Sequence, residues 1–161
     1  MKRLLFTLIF SLMGILTFSQ TSQVFISGQV TNELHEIISK CNLQLFKDDV
    51  LVAVDTTGEN GKYKFDSLEV GHVYDLYFEA EGYSLKFVRI DVRKADPNEI
   101  TKFPLIIDMA LFSTLGIKPE KLYFLQSEPY AIATYNPAKD AIEWDLVYLD
   151  KMKKKAEAAR K

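Results

Sequence analysis

Between Val24 and Val92 apolar residues recur at every second position in short runs, and each run stops at a turn-forming residue. A period of two places those side chains on one face of an extended strand. Cys41, Leu43 and Leu45 share one parity, with Lys40, Asn42, Gln44 and Phe46 on the other. Tyr74, Leu76, Phe78 and Ala80 alternate in the same way with Val73, Asp75, Tyr77 and Glu79. Val24, Ile26 and Val30, then Leu51 to Asp55, then Tyr63 with Phe65, and Leu85 to Val92 supply further strands. Asp48-Asp49, Glu59-Asn60-Gly61, Gly71 and Gly82 mark the turns, because Asn, Asp and Gly tolerate positive φ. Asn32 to Ser39 is read as a polar loop, with one helical turn as the alternative. No helix-period segment of useful length intervenes, so parallel crossovers are not expected and an antiparallel β-sandwich is.

The last third departs from this pattern. Phe103 to Phe112 is expected to be one further strand, with Pro104 at an edge or at the strand start, where a missing backbone donor does least harm. Gly116 and Pro119 punctuate a loop, and Leu122 to Leu125 and Ala131 to Tyr135 are read as extended. Ile142, Leu146, Leu149, Met152, Ala156 and Ala159 then step by three and four, which predicts a helix over about 145–160 with Asp145 as N-cap, a start near Pro137 being the alternative. The expected fold class is therefore mainly β, a sandwich with a C-terminal extension ending in an α-helix.

A particular succession of residues narrows this further. Gly28-x-Val30 is followed by Cys41 to Leu45, then by Thr56-Thr57-Gly58-Glu59-Asn60-Gly61-Lys62-Tyr63-Lys64-Phe65. Leu68-x-x-Gly71, Tyr74-x-Leu76-x-Phe78 and Gly82-Tyr83 complete the order. Over about residues 24–92 the chain resembles the carboxypeptidase regulatory-like domain family. The resemblance implies a transthyretin-like β-sandwich and a non-catalytic module, and it carries over no active site. Gly58 stands where the family usually has Asp, which changes the turn chemistry but keeps the Asn60-Gly61 pivot.

The first twenty residues read as an address. Lys2 and Arg3 precede an uncharged apolar run of 15 residues, Leu4 to Phe18, and the small residues Thr17 and Ser19 suit cleavage after Ser19. A spanning helix needs about 20 residues, so residues 1–19 are expected to be a signal peptide rather than an anchor. The mature chain is then expected to have no transmembrane segment and to work in the periplasm, outside the cell or in the cell envelope. Residues 20–112 form the expected sandwich domain and 113–161 the extension.

Charge is unevenly placed. Residues 20–150 hold 12 basic and 21 acidic side chains, whereas 151–161 hold 6 basic and 1 acidic. That balance does not suggest nucleic-acid binding. The basic tail suits an anionic envelope surface or another envelope protein, although a solvated helix end gives the same pattern.

Residues that could carry chemistry are few. His35-Glu36 has Ser39 where a zinc-protease helix would place its second histidine, and His72 falls in a turn. Counting from Asp55, Asn60 takes the place of the EF-hand glycine and Asp66 that of the final glutamate. Cys41 shares the apolar parity and is expected to be buried and inert. No catalytic residue, metal site or cofactor is expected. Tyr77 and Phe46 fall on the polar parity of their strands and Trp144 lies off the helix stripe. With Lys151, Lys153, Lys154 and Lys155 they are the candidate interaction residues. A non-catalytic interaction or assembly module is the first expectation, a carbohydrate or small-ligand binder the second, and a hydrolase the last.

Overall fold

The structure, a computed structural model, describes residues 22–160, so the expected signal peptide lies outside the described residues. In chain order the elements are β1 (Gln23–Asn32), β2 (Asn42–Lys47), β3 (Val50–Thr56), β4 (Lys62–Glu69), β5 (Val73–Glu79) and β6 (Lys86–Asp91). There follow β7 (Lys102–Ile106), β8 (Met109–Leu111), α1 (Pro119–Gln126), β9 (Ala131–Asn136), β10 (Ala141–Trp144) and α2 (Leu146–Ala159). A four-stranded sheet has the order β4-β1-β7 with β8 also on β1, and a six-stranded sheet has the order β10-β9-β6-β5-β2-β3.

The alternating residues close against one another as a sandwich. Val24, Ile26 and Val30 of β1 and Phe103 and Leu105 of β7 meet Leu43, Leu45, Leu76, Phe78, Val88 and Ile90 in one buried cluster. Aromatic pairs bridge the layers: Tyr63 to Phe78 at 5.5 Å and Phe103 to Tyr135 at 5.6 Å between ring centroids, both edge-to-face. Burial of each large aliphatic side chain here stabilises the fold by about 1.5–3 kcal/mol. The Asp48-Asp49 hairpin has φ of 47° and 66°, the left-handed pair a tight two-residue β-turn requires. The Asp48 carboxylate also accepts the Val73 N–H at 3.0 Å and meets His72 Nδ1 at 2.6 Å, which ties the turn to β5.

Four local expectations give way. The sheets are mixed rather than antiparallel throughout, since β1 pairs in parallel with β7 and β8, and β6 with β9. The chain reaches these parallel partners by passing through the opposite sheet, a crossover that needs length but no helix. Phe103 to Phe112 is two strands, broken at Ile107-Asp108. Leu122 to Leu125 is helical: Pro119 opens α1 near its first position, and Leu122 and Leu125 pack with Phe112 and Ala156 in a second cluster. Ile142 belongs to β10, whose pairing with β9 sets it opposite Tyr135, and the helix begins only at Leu146. Asp145 caps it by accepting the Tyr148 N–H at 2.9 Å.

The β7–β8 break has a cause in β1. A Cβ on Gly28 would lie 2.0 Å from the Ile107 carbonyl oxygen and 3.1 Å from the Tyr63 hydroxyl. Around this point Ile107 donates to Ser27 at 2.9 Å, Gln29 N–H donates to Asp108 at 3.0 Å, and Tyr63 Oη donates to the Ile107 carbonyl at 2.7 Å. Gly61, at φ 69°, is likewise pressed against the Val30 carbonyl. Gly28→Ala is expected to lower unfolding stability by about 1–3 kcal/mol through overpacking. Tyr63→Phe removes one buried hydrogen bond and is expected to cost about 1 kcal/mol. Urea denaturation measures both, and a stable Gly28→Ala protein would show that the approach is not required.

Candidate functional site

The outer face of the six-stranded sheet is built from the polar parity of β2, β5 and β6. Register places Gln44 beside Tyr77, Phe46 beside Asp75, Tyr77 beside Phe87 and Asp75 beside Arg89. Tyr77 stacks on Phe87 at 4.5 Å between centroids with 14° between planes, and Phe46 meets Tyr77 edge-on at 5.3 Å. Such cross-strand neighbours hold one another in place. Arg89 binds Asp75 through both Nε and an Nη, at 2.8 and 2.6 Å, and this pairing raises the guanidinium pKa further. A 350 Å³ recess beside Tyr77 is lined by Asn42, Gln44, Phe46, Glu79 and Leu85.

Among the described residues the sheet ends at β3, which has no partner strand on its outer side. Val50, Leu51, Val52 and Val54 are 48–64% exposed there. The strand carries no proline and no lysine, and Asp55 is its one charge. Natural edges are usually shielded by such residues, because a bare edge offers a row of backbone donors and acceptors to any extended chain.

The other candidate residues go elsewhere. Trp144 ends β10 opposite Ala133 and packs against the core, so it lies on the inner face and at the far side of the sheet from β2. The lysines of α2 diverge. Lys154 pairs with Asp150 at 2.6 Å and Lys155 with Glu128 at 3.1 Å. Lys151 lies 5.8 Å from the Tyr148 ring, and Lys153 faces a cleft beside the sheets. The structure thus joins Phe46 and Tyr77 and separates both from Trp144 and the lysines.

Two features escaped the sequence reading. One is the bare β3 edge, visible only once β3 is known to be outermost. The other is Lys86, a lysine inside an apolar run, whose parity with Val88 and Ile90 turns it toward the interior. Cys41 is fully buried, and burial pushes its thiol up to about 11. Among the described residues no group of three or more His, Cys, Asp or Glu is placed to hold a metal ion. Among them, too, no helix is long and apolar enough to cross a membrane.

The profile of the carboxypeptidase regulatory-like domain matches residues 25–105, half of the chain. The chain belongs to this family. The matched region runs from β1 to β7 and contains β2, β5 and β6 with the Phe46–Tyr77–Phe87 cluster, and the β3 edge. The domain is of a regulatory, non-catalytic type. No curated protein matches the chain.

Among solved structures, one similar to it is a protein of unknown function from Bacteroides fragilis, at 16% identity and TM-score 0.40, covering 62% of this chain and 31% of that one. Another is 3-chlorocatechol 1,2-dioxygenase from Rhodococcus opacus, at 11% identity and TM-score 0.44, covering 63% of this chain and 64% of that one. A third is the major pilin SpaD from Corynebacterium diphtheriae, at 16% identity and TM-score 0.42, covering 55% of this chain and 30% of that one. The chain thus spans between 30% and 64% of these proteins, and likeness at this level carries no argument about activity.

Lys86 gives the pH behaviour its clearest handle. It is 7% exposed, and burial lowers its ammonium to about 8 against the pull of Glu33, with Arg160 and Lys153 acting in the same direction as burial. Below pH 8 both folded and unfolded chains hold this proton, and the folded chain bears the full cost of burying it. Above that, only the unfolded chain keeps it, so folded stability rises up to the ordinary lysine range. Relative to Lys86→Met, the protein is expected to gain on the order of 3 kcal/mol between pH 8 and 10.5 in paired denaturation curves. Parallel pH profiles would remove the buried ammonium from this account.

Proposed function

We propose that this chain is a non-catalytic interaction module of the bacterial cell envelope, exported by its first 19 residues, that takes up an extended segment of an envelope protein along β3. The observation that carries this is the β3 edge, unpaired among the described residues, with four aliphatic side chains 48–64% exposed along it. Strand addition uses both: main-chain hydrogen bonds supply affinity and alternate side chains supply specificity. The family assignment supports a module that works by contact.

A protein partner suits the structure better than an anionic surface. Two of the four candidate lysines on α2 are already paired with carboxylates, and the remaining two do not share one patch with the outer face. A carbohydrate platform finds less support, since Tyr77 already has one face stacked on Phe87.

Val52→Lys/Val54→Lys places two charges on the edge without touching the core. The double variant is expected to keep the unfolding transition of the parent and to lose at least tenfold in recovery of a defined partner from envelope extracts. Equal recovery by parent and variant would sink the proposal. If sedimentation instead showed a parent dimer abolished by the variant, the edge would be a self-association surface.

A further inference from the structure

Along one margin of the sandwich α2 faces residues of both sheets. Beneath it lies a 510 Å³ cleft, within the range of small-molecule sites. Its body is apolar, with Val88, Ile107, Trp144 and Leu149 among the walls. At its mouth Ile106 and Leu146 remain 67% and 69% exposed.

The charges around this cleft are unequally matched. Lys86 Nζ donates to the Ala110 carbonyl at 2.5 Å and stands 3.9 Å from the Tyr130 ring centroid and 5.0 Å from that of Phe112. It makes no ion pair among the described residues, and its nearest carboxylate by field, Glu33, is bound by Arg160. Aromatic faces and one carbonyl only partly replace the water an ammonium loses. Lys153 adds a second cation at the rim without an ion pair among the described residues, while Asp108 on the opposite rim accepts the Gln29 N–H. An anion placed at Lys86 would supply the missing counter-charge.

We propose that this cleft binds an amphipathic acid, its carboxylate seated against Lys86 and its apolar chain lying along Trp144 and Leu149 toward Ile106 and Leu146. The two halves of the site require both halves of the ligand. A small inorganic anion would leave the apolar walls and the exposed mouth uncovered. A neutral hydrocarbon would leave the buried ammonium as it is. A sugar needs many directed polar partners, which these walls do not present. The site is independent of the β3 edge: its residues from this sheet belong to β6, β9 and β10, toward the other margin.

Trp144 is the chain's single tryptophan and lines the cleft, so it reports occupancy directly. Bromododecanoic acid, kept below its micelle concentration, is expected to quench Trp144 emission saturably at one equivalent. Its methyl ester is expected to bind at least tenfold more weakly, and inorganic phosphate is expected not to compete. Lys86→Met should weaken the acid at least tenfold and leave the ester within twofold, with circular dichroism checking the fold. Lys153→Gln, on the exposed side of α2, should weaken the acid about threefold and does not depend on the core. Equal affinity for acid and ester, competition by phosphate alone, or unchanged binding in both variants would overturn the proposal.

Discussion

One strand, β1, holds the first sheet together, and it can do so only where its backbone comes close enough to a neighbour to leave no room for a side chain. Its antiparallel partner β4 occupies one edge. On the other edge the β7–β8 segment must lie flat against it, and the Ile107 carbonyl fills the space a Cβ of residue 28 would take. That contact fixes the kink between β7 and β8 and lets Tyr63 reach across to bond the same carbonyl. Packing of Phe103 and Leu105 against the opposite sheet then follows from register.

The same geometry divides the molecule's surface by purpose. One long sheet has a closed inner face and an outer face locked by the Tyr77–Phe87 stack and the Arg89–Asp75 pair. Neither lock covers β3, which lies beyond β2 and keeps its aliphatic side chains in water. At the far margin α2 buries Met152 and Ala156, and Tyr148 bonds the Pro129 carbonyl. Its first turn stays exposed at Leu146 and Val147, and a cleft remains beside it.

Much of this was legible in the residues. Alternation at Leu43, Leu45, Leu76 and Phe78 specified buried faces, because period two allows only one reading of which side is apolar. Asp48-Asp49 and Asn60-Gly61 announced turns through their tolerance of positive φ. Parallel pairing was not legible, since nothing local in β7 says which strand it will join after a long excursion. The helix at Pro119 was hidden because its apolar positions are few and their value appears only when Phe112 and Ala156 arrive. Lys86 and the β3 edge were missed for a related reason. Exposure and enclosure are properties of strand order, and a lysine or valine looks the same in the chain whether it ends at a rim or in the middle.

The parallel ladder on β1 has a temporal side. Gln29 must find Asp108, 79 positions further along the chain. Closing so long a loop is entropically slow, and contacts this distant are among the last rewarded. Until residues near 111 have been made, β1 has a partner on only one flank, so a growing chain carries a sticky, half-finished layer for most of its synthesis. A helper that shields that flank, or a delay in folding until the whole polypeptide is available, would suit the architecture better than folding in step with elongation.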